Sequence, residues 1–159
     1  MSTDKPTWVA PARIDIELPL NRWDEGTLRL IGQDGDALLT ARCRGKADGR
    51  KAASEGNRAR HPFLPYGDTP SGIYQPTRVH HFPQQARSRL GPAWIPIIGV
   101  HGDALTARQN GRIGLGIHGG RGDDKLIATY GCVRMLDRDF GRLAERLGDA
   151  EVGVTIRDV

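Results

Sequence analysis

No stretch of this sequence stays apolar for anything near the ~20 residues that a membrane-spanning helix needs. Its start, MSTDKPTWVAPARIDIELPL, has no cationic segment leading into an apolar one. We therefore expect neither a membrane span nor a standard signal peptide. Cysteine is equally scarce: Cys43 and Cys132 lack the paired spacing of a disulfide scaffold or a zinc site. Each needs its own explanation. Aromatic residues make up only 6% of the chain, and nothing resembles a helix-turn-helix, a zinc finger or an aromatic RNA-binding platform. No nucleic-acid partner is expected.

What is present suits one soluble, turn-rich domain. The chain has 159 residues, 38% of them hydrophobic and 26% charged, with 21 glycines, which favours a mainly β protein over a disordered one. The formal net charge is +4, mostly carried by arginine, so an anionic surface or polymer is a plausible partner. Positive residues crowd between Arg42 and Arg60, a stretch rich in Gly, Ala, Ser and Asn that reads as a long, solvated basic loop.

Periodicity places the elements. GTLRLIGQDGDALLTARC holds two short apolar runs on either side of Asp34-Gly35, a pair suited to a tight hairpin turn. Cys43, at the end of the second run, reads as a small buried thiol. GIYQ is a short strand between prolines, and AWIPIIGV a buried strand in which Pro96 implies an edge or a bulge. DALTARQNG predicts a helix with Asp103 as N-cap and Gly111 near the C-cap, and IGLGIH a strand delivering His118 to its end. GCVRML is a further strand. DRDFGRLAERLG is the clearest helix, with Phe140, Leu143, Ala144 and Leu147 on one face, Asp137 as cap and Gly148 as stop. The tail EVGVTIRDV alternates Val152, Val154 and Ile156, as in a half-buried strand closing the sheet.

One passage, GIHGGRGDDKLIATYGCVRM from Gly116 to Met135, holds the residues that could do chemistry. A thiol with an ordinary pKa near 8.5 needs a base, a positive field or backbone donors to act as a nucleophile at neutral pH. His118 can take the proton, Arg134 adds positive charge, and the flexibility of Gly131 lets backbone N–H groups approach an oxyanion beside Cys132. The competing reading makes Cys132 ordinary core and His118 a capped residue at a strand end.

The blocks TPSGIY, IHG and TYGCVRM, in this order, resemble the YkuD-like L,D-transpeptidase catalytic domain, whose pattern is a histidine, a spacer, then Ser/Thr-His-Gly-Cys-apolar-Arg/Asn. The resemblance runs from about Gly26 to the last strand. It implies a single L,D-transpeptidase-like β-sandwich domain, mainly β with one or two short helices, over residues 26–159. Residues 1–25 form an N-terminal segment able to supply a first strand. It further implies Cys132 as nucleophile, His118 as general base and acid, and Gly119 beside the base, fixing the ring tautomer through its carbonyl. Thr129 occupies the family's Ser/Thr position and Arg134 its Arg/Asn, where a guanidinium can bind a substrate carboxylate in fork geometry; the bland reading of Arg134 is a surface salt bridge.

Two features depart from the family. Tyr130 stands before Gly131 where the family has histidine, offering a phenol as support for the cysteine loop. Only residues 119–128 separate His118 from Thr129, a short spacer similar to that of divergent members delivered between bacteria as cell-wall-attacking effectors. The implied reaction is thiolate attack on an L,D bond of a peptidoglycan stem peptide, leaving a thioester; transpeptidation, D-amino acid exchange and hydrolysis all stay open. No cofactor and no metal are required. The expected partners are stem peptides and, on the effector branch, an immunity protein. The expected location is the periplasm or cell envelope, and the expected state a monomer.

Two rival readings compete with this one. A papain-like or NlpC-type peptidase is disfavoured because no histidine follows Cys132. A catalytically impaired wall-binding module of the same fold, using its basic loop on anionic glycan, remains the alternative. Among other residues, His80 and His81 point to opposite faces of an extended segment, which is awkward for joint metal ligation. His61 reads as loop, His101 as a residue after a strand, and Tyr74 and Trp94 as core.

Overall fold

The computed structural model describes residues 9–82, 92–120 and 125–159. Residues 121–124 of the spacer and the first eight residues of the N-terminal segment lie outside the described residues. Among the described residues the chain folds as one curled, ten-stranded sheet in the order β5-β6-β8-β9-β3-β2-β1-β10-β4-β7, with three short helices where one or two were expected.

The central strands are built on alternation. β1 (Pro11–Leu18) buries Ile14, Ile16 and Leu18 and turns Arg13, Asp15 and Glu17 to the other face. β2 (Gly26–Gly32) sets Leu30 and Leu28 opposite Ile14 and Ile16. The hairpin to β3 (Ala37–Arg44) forms as expected, with Gly35 at φ 87° in its turn. β10 (Val152–Asp158) buries Val152, Val154 and Ile156 but does not close the sheet. It lies inside, parallel to β1 and antiparallel to β4 (Gly72–Thr77), because the segment before β2 supplies a strand for its other side.

Four further expectations are corrected. AWIPIIGV makes two strands rather than one: β6 (Ala93–Pro96), between β5 (His80–His81) and β8 (Gly116–His118), and β7 (Gly99–His101), on β4 at the other edge. Pro96 is the last ladder position, and just beyond it the Ile97 N–H donates to Leu115 O at 3.0 Å. The basic stretch is not one loop. Arg42 and Arg44 belong to β3, Lys46 is buried against Asp68 at 3.1 Å, and α1 (Gly49–Ser54) starts where the Asp48 carboxylate accepts from the N–H groups of Arg50 and Lys51. In α2 (Asp103–Gln109) the N-cap is Gly102, at φ 69°, and Asp103 is already helical, where its charge suits the helix dipole. In α3 (Asp137–Leu147) the N-cap is Leu136; the Asp137 carboxylate accepts instead from the Gly120 N–H. Gly148 does end α3, and Phe140, Leu143 and Leu147 join the core cluster with Ala144 packed against it.

Tyr74 is buried, its hydroxyl donating to Pro70 O at 2.6 Å. Trp94 stacks on Phe82 and lies against Gly116, where a Cβ would meet its ring at 2.3 Å. Of the other histidines, His80, His81 and His101 are exposed on their strands, and His61 accepts from the Phe63 N–H through Nδ1. Among the described residues no cluster of His, Cys, Asp and Glu could hold a metal, and no helix is long and apolar enough to cross a membrane.

Candidate active site

The parallel pair β8–β9 (Val133–Met135) brings the two halves of the motif together, since its register sets Ile117 opposite Val133 and His118 opposite Arg134. One step earlier, Cys132 falls beside Gly116, on the same face as His118 by the two-residue period of the strand. His118, Cys132 and Arg134 line a single cavity of about 450 Å³ together with Arg112, Tyr66 and Tyr130.

His118 is 1% exposed. Its Nδ1 lies 2.8 Å from Gly119 O, and a carbonyl only accepts, so Nδ1 carries the proton and Nε2 keeps the free lone pair. Burial pushes the imidazole pKa down to about 4; the bond to Gly119 opposes this and the Arg134 charge adds to it. At neutral pH the ring is an uncharged base. Arg134 Nη1 donates to the same Gly119 O at 2.8 Å and Nε to Ile127 O at 3.0 Å. Arg134 is 3% exposed, a buried cation beside the histidine, and two of its donors hold backbone. A Cβ at Gly119 would stand 2.5 Å from an Asp137 carboxylate oxygen, which would have to shift from its place on the Gly120 N–H.

The cysteine loop is held from three sides. Thr129 Oγ1 donates to Cys132 O and accepts from the Gly131 N–H, both at 2.9 Å. Thr69, from the TPSGIY block, donates to Gly131 O at 2.5 Å. Gly131 sits at φ 113°, and a Cβ there would lie 2.4 Å from Gly67 O. With its N–H engaged by Thr129, Gly131 shapes the turn rather than offering a spare donor. Behind the loop, Thr129 exchanges backbone bonds with the segment after β3: its N–H with Lys46 O at 3.0 Å and its carbonyl with the Asp48 N–H at 2.6 Å.

Cys132 is 8% exposed, and its thiol points to Gly114 O at 3.7 Å. Burial pushes the thiol pKa up, while a Gly116 N–H directed at the sulfur and the charges of Arg112 and Arg134 work the other way. At rest the pair is thiol and neutral imidazole. Tyr130, 41% exposed, lines the cavity and packs edge-on against Tyr66 with centroids 5.8 Å apart.

Arg112 escaped the sequence reading. It is buried, with Nη1 donating to Pro62 O and Asp68 O at 2.7 and 2.8 Å and Nη2 to Gly67 O at 2.9 Å. It ties the loop before β4 to the segment after α2, packs against Gly131 and puts a second cation near the sulfur. A lone arginine in NGRIG carries no periodic or motif signal.

No family model and no curated protein sequence matches the chain. Solved structures do. Bd1075 of Bdellovibrio bacteriovorus has a TM-score of 0.56 at 16% identity, over 97% of this chain and 53% of that one. The helical cell shape determining protein Pgp2 of Campylobacter jejuni has a TM-score of 0.51 at 16% identity, over 98% and 52%. An L,D-transpeptidase (residues 123–326) of Xylanimonas cellulosilytica gives 0.47 at 16% identity, over 96% and 64%. The chain spans about half the length of the first two. At such identity these likenesses speak for the fold alone: the mainly β fold expected from the sequence is the fold of this chain, and Bd1075 and Pgp2 share it.

Proposed function

We propose that this chain is a peptidoglycan-modifying cysteine enzyme that acts on L,D bonds of stem peptides through a thioester on Cys132. The observation that carries the reading is the lining of one cavity by a thiol and by a buried, neutral histidine whose Nδ1–H is anchored on Gly119 O. Because burial keeps the proton on the sulfur, that proton moves as attack occurs. His118 Nε2 takes it, Sγ bonds to the carbonyl carbon, and negative charge builds on the carbonyl oxygen within the field of Arg112 and Arg134. As the tetrahedral species collapses, the C–N bond breaks and the leaving amine receives the proton from His118. An acceptor amine or water, deprotonated by the same imidazole, then releases the acyl group and restores the thiol. Amine acceptors give crosslinks or exchange and water gives hydrolysis.

In this reading Thr129 and Gly131 shape the cysteine turn, Gly119 and Arg134 hold the base, and Tyr130 lines the cavity. The substrate places the activity in the cell envelope, and an immunity protein is the expected partner if the chain is delivered as an antibacterial effector. A non-catalytic wall-binding module is favoured by one observation, the thiol held protonated and directed at Gly114 O. Incubating purified peptidoglycan with the protein and weighing the released muropeptides separates the two. The enzyme yields shortened tetrapeptides, 3-3 dimers or exchanged D-residues, and Cys132→Ala yields none; identical profiles for both, with both retained on sacculi, support the binding module.

A further inference from the structure

We propose that Lys51, seated over the rings of Tyr66 and Tyr130, two residues that line the cavity, is a docking point for a carboxylate of the substrate peptide. The inference rests on the reading above for the kind of peptide, but not on the chemistry at Cys132. Lys51 Nζ lies 5.2 Å from the Tyr66 ring centroid and 5.9 Å from that of Tyr130. Both tyrosines line the same cavity as the cysteine.

Three features distinguish this from a solvated surface lysine. Tyr66 holds φ 62°, a left-handed conformation that a non-glycine side chain adopts only when the surroundings impose it, and it lines the cavity. Asp48, the acid on that side of the cavity, is already engaged by the N–H groups of Arg50 and Lys51, so it does not cancel the ammonium directly. Finally, Lys51 already holds a carboxylate, that of Glu55 at 3.0 Å, in a pair whose two side chains are 35% and 42% exposed. Such a pair adds little to a helix of six residues. An incoming carboxylate can take Glu55's place with no change in the number of ion pairs, while the two rings keep the ammonium positioned.

The test is calorimetric binding of a soluble stem tetrapeptide with free carboxylates, and of its fully amidated analogue, to the Cys132→Ala protein. Amidation and Lys51→Met should each weaken binding about fivefold, the two losses should not add, and Lys51→Arg should restore most of the affinity. Glu55→Gln should tighten the free peptide about twofold by removing its competitor. In the protein with Cys132 intact, Lys51→Met should raise KM for the free peptide and leave kcat alone. Equal affinity for both peptides, an equal loss for both on Lys51→Met, or no binding of either overturns the proposal. This binding pattern without turnover in the unaltered protein leaves the subsite standing and removes the catalytic reading; turnover that ignores Lys51 does the reverse.

Discussion

Cys43 and Cys132 lie toward opposite ends of β9, and both are buried. Cys43 faces Met135 across the β3–β9 ladder, fully covered, and everything acting on it, burial first and the Glu25 charge second, raises its pKa, to about 12. Cys132 is raised by burial too, yet a Gly116 N–H and two guanidinium groups pull against it. One thiol is packing material, while the other lines a cavity together with a neutral histidine. Burial alone therefore does not separate an inert cysteine from a candidate nucleophile; the donors aimed at the sulfur do.

The sharpest way to break this contrast is to delete each sulfur in turn. Cys132→Ala should lower turnover of a stem peptide by at least ~10³-fold with little change in stability. Cys43→Ala should keep turnover within about twofold and lose ~1–2 kcal/mol in urea denaturation. Equal activity losses would erase the distinction. Next in size is Arg112→Met, which leaves three carbonyls without their donor and takes one cation from Cys132 but none from Cys43. About 4 kcal/mol of stability should go, and alkylation by iodoacetamide should slow at Cys132 alone.

The histidine adds a pH signature. A folded pKa near 4 against an ordinary 6.5 means that the unfolded chain binds the extra proton first as pH falls. Stability from His118 is thus complete above about pH 6.5 and is lost on the way down to about pH 4, by up to ~3 kcal/mol. His118→Gln should flatten the melting temperature over that window. The smallest effect expected is that of Arg134→Met, about tenfold in kcat. Because the Arg134 charge lowers the His118 pKa, its removal should also move the acid limb of the rate profile to higher pH; a purely structural role would leave that limb in place.

Much of this geometry was legible in the sequence, for reasons that differ by region. The hairpin at Asp34-Gly35, helix α3 and the alternation of β10 show because periodicity and turn chemistry are local. IHG and TYGCVRM show because adjacent parallel strands bring short motifs into register. What stayed hidden is held by long-range bonds. Arg112 reaches carbonyls more than forty positions away. Asp137 looks like a cap until Gly120 claims its carboxylate. Tyr66 and Lys51 meet Tyr130 only because the segment after β3 pairs with Thr129.

The central claim, that Cys132 and not Cys43 is acylated, is tested most directly by intact-mass measurement and peptide mapping after exposure to a carbapenem. The account predicts one adduct, on Cys132, in the unaltered protein and in Cys43→Ala, and none in Cys132→Ala. An adduct that maps to Cys43, or no adduct on the unaltered protein, would contradict it.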